Sequence, residues 1–232
     1  MNIGAFQKAF HREFPAKRRH VPTPWHRHWF WRRFFDPCPD VPGMISVKKQ
    51  RLLNLAFSFL AAGECYLEVG TYQGKSLISA VKGNPPRPVH AVDNFTEFTA
   101  ANTQQLLMAN LARYGMGDKV KFHNADFRTA VNRALVAEPV GLYFYDGAHD
   151  EESQYAAIRV AEPLLADEAL VIIDDWRNAP DSPSFAQAGT ERAVAGSKNA
   201  WTLLYDLPAR FNADRELWWN GVAVYGFKRA RA

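Results

Sequence analysis

The sequence predicts an α/β fold: a seven-stranded, mostly parallel sheet with helices on both faces and an antiparallel hairpin at the C-terminus. Three observations lead to this fold class. Short apolar runs alternate with helical patterns, the first apolar run ends in a glycine turn, and the last two β-rich runs have no convincing helix between them. Alternation is typical of a parallel sheet with right-handed crossovers, whereas two strands joined by a loop should pair antiparallel.

The individual elements follow from the spacing of apolar residues. A helix over 47–60, with Ser46 as its N-cap, should lead into the first strand. The polar, proline-bearing segment 180–184 follows the fifth strand and is a candidate substrate loop. The strands are predicted at 66–69, 89–93, 120–124, 141–145, 170–174, 201–207 and 222–228, and the helices between them at 74–82, 100–114, 127–137 and 151–165.

The first predicted strand ends in an acidic residue and a glycine turn, with Glu68, Gly70 and Gly74 in the spacing E-x-G-x-x-x-G. Glycines at the carboxyl end of a parallel strand let the backbone approach a ligand that a Cβ would exclude, and the next helix presents free N–H groups there. The triple glycine with which dinucleotide-binding folds hold a pyrophosphate is missing. The turn therefore predicts a small-molecule cofactor site in a Rossmann-like fold.

Later strand ends supply further acidic residues. Asp93 ends the second strand about 20 residues after the turn, where an acidic residue accepts hydrogen bonds from ribose hydroxyls. An ordinary capping role for Asp93 is the alternative. Asp126 and Phe127 follow the third strand, and Asp146 ends the fourth.

Three carboxylates end two neighbouring strands: Asp146 after the fourth, and Asp174 and Asp175 after the fifth. Neighbouring strands lie about 4.8 Å apart, so these side chains should reach one divalent cation. A set of oxygen ligands favours magnesium, calcium or manganese over zinc. Such an ion would lower the pKa of a substrate hydroxyl. The other interpretation is that the three acids cap helices or form a turn.

The E-x-G-x-x-x-G turn resembles the first motif of class I S-adenosylmethionine-dependent methyltransferases. The resemblance implies a cofactor pocket in which Asp126 contacts the adenine and Phe127 stacks beside it. The residues expected at this pocket are Glu68, Gly70, Tyr72, Gly74, Ser76, Asp93, Asn94, Asp126, Phe127 and Asp146.

Asp146-Gly147-Ala148-His149 resembles the D-G-x-H signature of small bacterial O-methyltransferases related to macrocin O-methyltransferase and to proteins labelled cephalosporin hydroxylase. The resemblance implies magnesium-dependent methylation of sugar hydroxyls, with Asp146, Asp174 and Asp175 as metal ligands. Some relatives have a further Asp where this chain has Ala148. His149 is the candidate replacement, because a neutral imidazole accepts a hydroxyl proton near pH 7. A structural role for His149 is the alternative.

The N-terminal region differs in composition from the rest. Residues 1–35 contain eight basic residues and one acidic residue, interleaved with tryptophans and phenylalanines. We divide the chain into a basic aromatic arm with a proline-rich connector, residues 1–42, and a methyltransferase domain, residues 43–232. The arm either packs on the domain or makes a homo-oligomer contact, or it binds nucleic acid or another anionic surface.

Composition limits the protein class. The chain has 232 residues, of which 47% are hydrophobic, and this is enough for one substantial core. We expect no transmembrane segment, because every continuous apolar run is only strand-sized. No signal-peptide pattern is visible, and two cysteines make no disulfide framework, so a cytoplasmic location is expected.

These observations predict a metal-assisted O-methyltransferase that uses S-adenosylmethionine and acts on a small-molecule acceptor, such as a sugar. Asp146 and His149 are the candidate catalytic residues. Three alternatives stay open: a methyltransferase acting on nucleic acid through the arm, a nicotinamide-dependent dehydrogenase, and a non-catalytic binding protein with the cofactor fold. The glycine pattern disfavours the dehydrogenase.

Overall fold

A computed structural model describes residues 1–22, 36–97, 102–179 and 181–231. Its sheet contains seven strands in the order β3-β2-β1-β4-β5-β7-β6. The predicted fold class is therefore confirmed, including the antiparallel pair at the C-terminus. The strands are β1 (Cys65–Val69), β2 (Val89–Val92), β3 (Val120–His123), β4 (Val140–Tyr145), β5 (Leu165–Asp174), β6 (Ala200–Leu207) and β7 (Val222–Lys228).

The order and direction of the strands both matter for the site. The strands β1 to β5 are parallel, and β7 lies antiparallel between β5 and β6. The strand order reverses at the β1/β4 pair. In open α/β sheets, ligands bind outside the carboxyl ends of the strands at such a switch point. The topology therefore indicates a ligand site at the residues that follow β1 and β4.

Helices cover both faces of the sheet. Ser46 is the N-cap of the helix Val47–Phe57, as predicted, and its side chain accepts a hydrogen bond from the Lys49 N–H. The helices are α1 (Ile3–Glu13), α2 (Ala16–Arg19), α3 (Val47–Phe57), α4 (Lys75–Val81), α5 (Thr103–Arg113), α6 (Phe127–Ala130), α7 (Glu151–Ala161) and α8 (Phe185–Ala195), and a 3₁₀ turn covers Glu162–Leu164.

The helices α1 and α2 of the arm were not predicted, and two helical regions beyond residue 42 also differ from the expectation. The helix predicted over 127–137 ends at Ala130, because the Asn132 side chain accepts hydrogen bonds from the N–H groups of Ala134 and Leu135 and forms a local turn. The helix α8 was not predicted. Ser184, at the end of the candidate substrate loop, caps it by accepting a hydrogen bond from the Gln187 N–H. Gly189 lowers the helix propensity of this segment, so the sequence pattern does not indicate a helix there.

The first part of the N-terminal arm packs into the main core. Phe6, Phe10 and Phe14 of this arm are buried with Trp218 and residues of β1, β4 and β5 in one apolar cluster. The ring of Phe10 stacks on Tyr205 of β6 with centroids 3.7 Å apart. The arm tryptophans lie outside the described residues, because they fall within 23–35. The division of the chain at residue 42 stays a prediction.

Within the ranges that the structure describes, every helix is too short or too polar to cross a lipid bilayer.

Candidate active site

A cavity of about 210 Å³ opens at the carboxyl ends of β1, β2, β3 and β4. This is the edge of the sheet that the switch point indicates. Eight of the predicted site residues line the cavity: Gly70, Tyr72, Asp93, Asn94, Asp126, Phe127, Asp146 and His149.

Gly70 forms the floor of the cavity, and its position requires a glycine. Its φ is +85°, and a Cβ at this position would lie 1.8 Å from the backbone oxygen of Asp146. The close approach is fixed by two hydrogen bonds, from the Gly70 N–H to the Val92 oxygen and from the Asp146 N–H to the Val69 oxygen. The turn after β1 is therefore tied to the ends of β2 and β4.

Asp93 organises two loops at the cavity wall. Its carboxylate accepts hydrogen bonds from the N–H groups of Tyr72 and Phe95, both at 2.7 Å. Tyr72 and Phe95 have φ values of 47° and 54°, in the left-handed region that non-glycine residues rarely adopt. A carboxylate has further acceptor capacity beyond these two bonds, so Asp93 is still able to bind ribose hydroxyls.

Asp126 and Phe127 form the wall beyond β3. The Asp126 side chain caps α6 by accepting a hydrogen bond from the Arg128 N–H at 2.8 Å. The guanidinium of Arg128 lies 4.6 Å from the centroid of the Phe127 ring. Phe127 also packs edge-on against Tyr145, with centroids 5.3 Å apart. The wall therefore presents aromatic and planar groups of the kind that bind a flat heterocycle.

Three residues expected at the pocket do not line the cavity: Glu68, Gly74 and Ser76. They support the pocket from behind. The buried Glu68 carboxylate accepts hydrogen bonds from the Ser76 hydroxyl, at 2.7 Å, and from the Tyr66 hydroxyl. Burial raises the pKa of Glu68 to about 8. Gly74 begins α4 with φ +88°, next to Leu107.

The acidic strand ends are arranged differently from the expectation. In the part of the chain that the structure describes, the side chains that offer ligand atoms within 4.8 Å of one another are Asp146, His149 and Asp175. The carboxylate of Asp174 is buried and forms an ion pair with the ammonium of Lys49. The three aspartates therefore do not form one open set. Burial, together with the charges of Asp174 and Asp175, raises the pKa of Asp146 well above its ordinary value.

His149 lies in contact with two acidic side chains. Its Nδ1 is 3.1 Å from the carboxylate of Asp175, and its Nε2 is 3.8 Å from the carboxylate of Glu97. Asp175 follows β5 directly and has a φ of 50°. Its side chain contacts His149, in the loop after β4. The pairing of His149 with Asp175 has no signature in the sequence, because the two partners belong to different strand ends.

Sequence reasoning missed other residues of the site. Met44, Thr96 and Arg128 line the cavity without having been predicted there, whereas Glu97, which the sequence places just beyond Asp93 within reach of an acceptor pocket, also lines it. Lys49 was also missed, although it lies three, four and seven residues before Leu52, Leu53 and Ala56, on the apolar side of α3. A lysine at a core-facing position is unusual enough to indicate a buried acidic partner.

The chain matches a family model described as "Methyltransferase domain" over residues 67–176. No curated protein sequence matches the chain. The matched segment begins in β1 and ends just after β5, so it contains the cavity floor, Asp93, Asp126, Asp146 and both strand-end aspartates.

Solved structures of three bacterial proteins share the fold. A putative O-methyltransferase from Klebsiella pneumoniae is 17% identical, with a TM-score of 0.60 over 97% of each chain. The O-methyltransferase TomG from Streptomyces achromogenes, involved in tomaymycin synthesis and solved with SAM, is 18% identical, with a TM-score of 0.58 over 96% of this chain and 98% of that one.

An O-methyltransferase from Bacillus cereus, solved in complex with SAH, is 17% identical, with a TM-score of 0.56 over 97% of this chain and 88% of that one. At such identities the likeness shows the fold, and the family model adds the domain. The motif resemblance drawn from the sequence is confirmed: the methyltransferase-domain match over residues 67–176 and the shared fold support a class I S-adenosylmethionine-dependent methyltransferase.

Proposed function

We propose that this enzyme transfers a methyl group to a hydroxyl oxygen of a small molecule, and that the acceptor is a sugar or a glycosylated metabolite. The observation that carries the proposal is the His149–Asp175 pair at the cavity, with Nδ1 and the carboxylate 3.1 Å apart. A hydroxyl becomes a good nucleophile only when its proton is taken up, and a neutral imidazole performs this step near pH 7.

The cavity wall supports a site for S-adenosylmethionine. When bound, this cofactor supplies an electrophilic methyl group on a sulfonium. In the proposed site Asp93 accepts hydrogen bonds from the ribose hydroxyls, while Asp126 and Phe127 contact the adenine. Gly70 gives the ligand access to the backbone after β1, and Glu68, Gly74 and Ser76 hold that turn from behind.

The two nitrogens of His149 take different roles in this proposal. Asp175 accepts the Nδ1 hydrogen, which leaves the lone pair on Nε2 for the acceptor proton. Nε2 points to the side of Glu97, where the cavity is also lined by Asn94 and Thr96. Exposed amide, hydroxyl and carboxylate groups suit an acceptor with several hydroxyls, and this supports the sugar.

Magnesium bound by Asp146, Asp174 and Asp175 stays a prediction. As the side chains lie, this set does not fit a divalent ion, because the Lys49 ammonium is on Asp174. An ion held by Asp146, His149 and Asp175 instead would occupy an imidazole nitrogen. The same His149 would then not be free to act as the base, so the two schemes are alternatives.

A His149→Ala variant tests the base. We expect kcat to fall by about 10²–10⁴-fold while SAH affinity stays unchanged, because the side chain acts on the acceptor proton and not on the cofactor. The measurement is SAH formation from S-adenosylmethionine with a panel of glycosides and phenols, plus calorimetry with SAH. His20→Ala, at an exposed position of the arm, is the control. Unchanged turnover in His149→Ala would refute the assigned role.

Chelation separates the two schemes. If His149 is the base, methyl transfer should persist in EDTA. Loss of transfer in EDTA that Mg²⁺ restores, with SAH binding intact, would support the metal-assisted scheme and count against the imidazole base.

Methylation of nucleic acid is a second candidate function, favoured by the charge of residues 1–35. This second function predicts oligonucleotide binding whose affinity falls steeply with salt, as counterion release requires. Salt-independent or absent binding would leave packing or oligomerisation as the role of the arm, and light scattering of the full chain distinguishes a dimer from a monomer.

A further inference from the structure

The ammonium of Lys49 is fully buried on the core side of α3. It forms an ion pair with Asp174, whose side chain is 2% exposed. A buried ammonium is costly unless it is paired, so this position needs a specific reason. The helix itself does not provide one, because Lys49 is in the first turn, where the helix dipole disfavours a cation.

The neighbours of this pair are the acids of the active site. The parallel register of β4 and β5 pairs Tyr145 with Ile173, which places the next residues, Asp146 and Asp174, side by side. Asp175 follows directly. Three carboxylates thus gather at the ends of two strands, and the buried cation that faces them is Lys49. Its charge opposes the rise in the pKa of both Asp146 and Asp174 that burial causes.

Lys49 therefore stands where a divalent ion would otherwise be needed. Three carboxylates without a cation would repel one another, and an oxygen-only set of this kind is what magnesium, calcium or manganese binds. An ion that used Asp174 would have to displace the ammonium into the apolar core between α3 and the sheet. That displacement would leave a buried charge without compensation.

We propose that Lys49 is a built-in cation that takes the place of a divalent metal at the Asp146, Asp174 and Asp175 cluster, so that the enzyme holds this edge of its acceptor site together without a metal ion. Lys49 does not line the cavity. It is accordingly a positioning residue, which acts through Asp174 and Asp146. The link to catalysis rests on the proposed function, but the metal binding does not.

The test is a direct titration with Mn²⁺, in which binding is measured by calorimetry or by the electron paramagnetic resonance of free Mn²⁺. The proteins are the wild type, Lys49→Met, Lys49→Arg and the double variant Lys49→Met/Asp174→Asn. Methionine keeps an unbranched side chain, one atom shorter than that of lysine, and removes the charge. Arginine keeps the charge, and the double variant removes one acid together with the cation.

We expect Lys49→Met to bind Mn²⁺ at one site at least about 10-fold more tightly than the wild type, because three carboxylates then lack a cation. The Lys49→Arg and double variants should behave like the wild type. If Lys49→Met folds only when Mn²⁺ is added, as followed by circular dichroism, that result also supports the proposal. A merely structural lysine would give a destabilised variant without any gain of metal affinity.

If Lys49→Met does not fold under any condition, Mn²⁺ binding by the wild-type protein tests the proposal. Stoichiometric Mn²⁺ binding by the wild type that disappears in Asp146→Asn would overturn the proposal, and its absence would support it. These readouts do not depend on turnover. If no hydroxyl acceptor is methylated, the proposed function fails while the titration still tests the role of Lys49.

Discussion

Asp93 shapes two loops of the site, and the proposed function also gives it a role in binding the ribose. Its carboxylate holds Tyr72 and Phe95 in left-handed conformations through two hydrogen bonds of 2.7 Å. In Asp93→Ala the two N–H groups lose their acceptor, and the ribose loses the partner that the proposed function assigns to it. We expect SAH binding to weaken by about 1.5–3 kcal/mol, measured by calorimetry.

The control for this variant is Asp118→Ala, because Asp118 is exposed in the turn before β3. It should bind SAH as the wild type does. Equal affinity of Asp93→Ala and the wild type would mean that the carboxylate only shapes the loops, and the ribose assignment would be withdrawn.

Glu68 should make the stability of the fold depend on pH. Its pKa is raised to about 8 by burial, against 4.5 for a free side chain. Between these values the folded state holds a proton that the unfolded state has lost. The free energy of unfolding should therefore fall as pH rises, with a Glu68 contribution of up to about 1.4 kcal/mol per pH unit.

Glu68→Gln removes this titration and keeps a side chain that can bond with Ser76. Urea unfolding between about pH 5 and pH 8 should show a smaller loss of stability in Glu68→Gln than in the wild type. Asp146 and Asp174, whose pKa values burial also raises, contribute in both proteins, so the difference between the two curves is the readout. Parallel curves would show that the Glu68 pKa is close to its free value.

At the scale of elements, α7 and α8 meet through a glycine. A Cβ on Gly189 would lie 2.3 Å from the backbone oxygen of Glu151 and 2.7 Å from the Cβ of Gln154. Alanine is the better helix former, by about 1 kcal/mol, but here it would force the two helices apart. We expect Gly189→Ala to lower the free energy of unfolding by about 1–3 kcal/mol.

Gly196→Ala is the matched control, since Gly196 follows the same helix with φ −85°, and a Cβ there would lie 3.7 Å from its nearest neighbours. Denaturant unfolding should show a change of less than about 1 kcal/mol for this variant. If Gly189→Ala and Gly196→Ala are equally stable, α7 and α8 separate without cost, and the packing argument fails.

The whole molecule depends on packing between the two ends of the chain. Phe10 of α1 is fully buried and stacks on Tyr205 of β6. We expect Phe10→Ala to lower the free energy of unfolding by about 3–5 kcal/mol, as for other buried aromatic residues. Phe185→Ala, where the side chain is 66% exposed, should cost less than about 0.5 kcal/mol.

The same pair of variants tests the division at residue 42. If Phe10→Ala and Phe185→Ala melt at the same temperature, the arm is a separate addition to the methyltransferase domain. A large difference in melting temperature would show that residues 1–22 and the sheet share one cooperative core.

Local sequence patterns were enough to predict the order of the strands along the chain and the edge of the sheet at which the site lies. Apolar periodicity and the glycine turn are local properties, so they are visible without the partner segments. Parallel strands end at one edge of the sheet, so Asp93, Asp126 and Asp146 had to lie near one another. The short helix α6 and the missed helix α8 show the limit of this reasoning, since side-chain turns and caps control both.

Which of these residues face the ligand, and which support them, depends on contacts that form only when the chain folds. Glu68 and Ser76 bond to each other behind the cavity, and His149 pairs with Asp175. Lys49 reaches Asp174 across 125 positions of sequence. No local pattern encodes such a pairing, because a charge is tolerated in a core only where folding brings an opposite charge to it. The acidic strand ends and a lysine at a core-facing helix position could be read from the sequence, but the pairing of Lys49 with Asp174 could not.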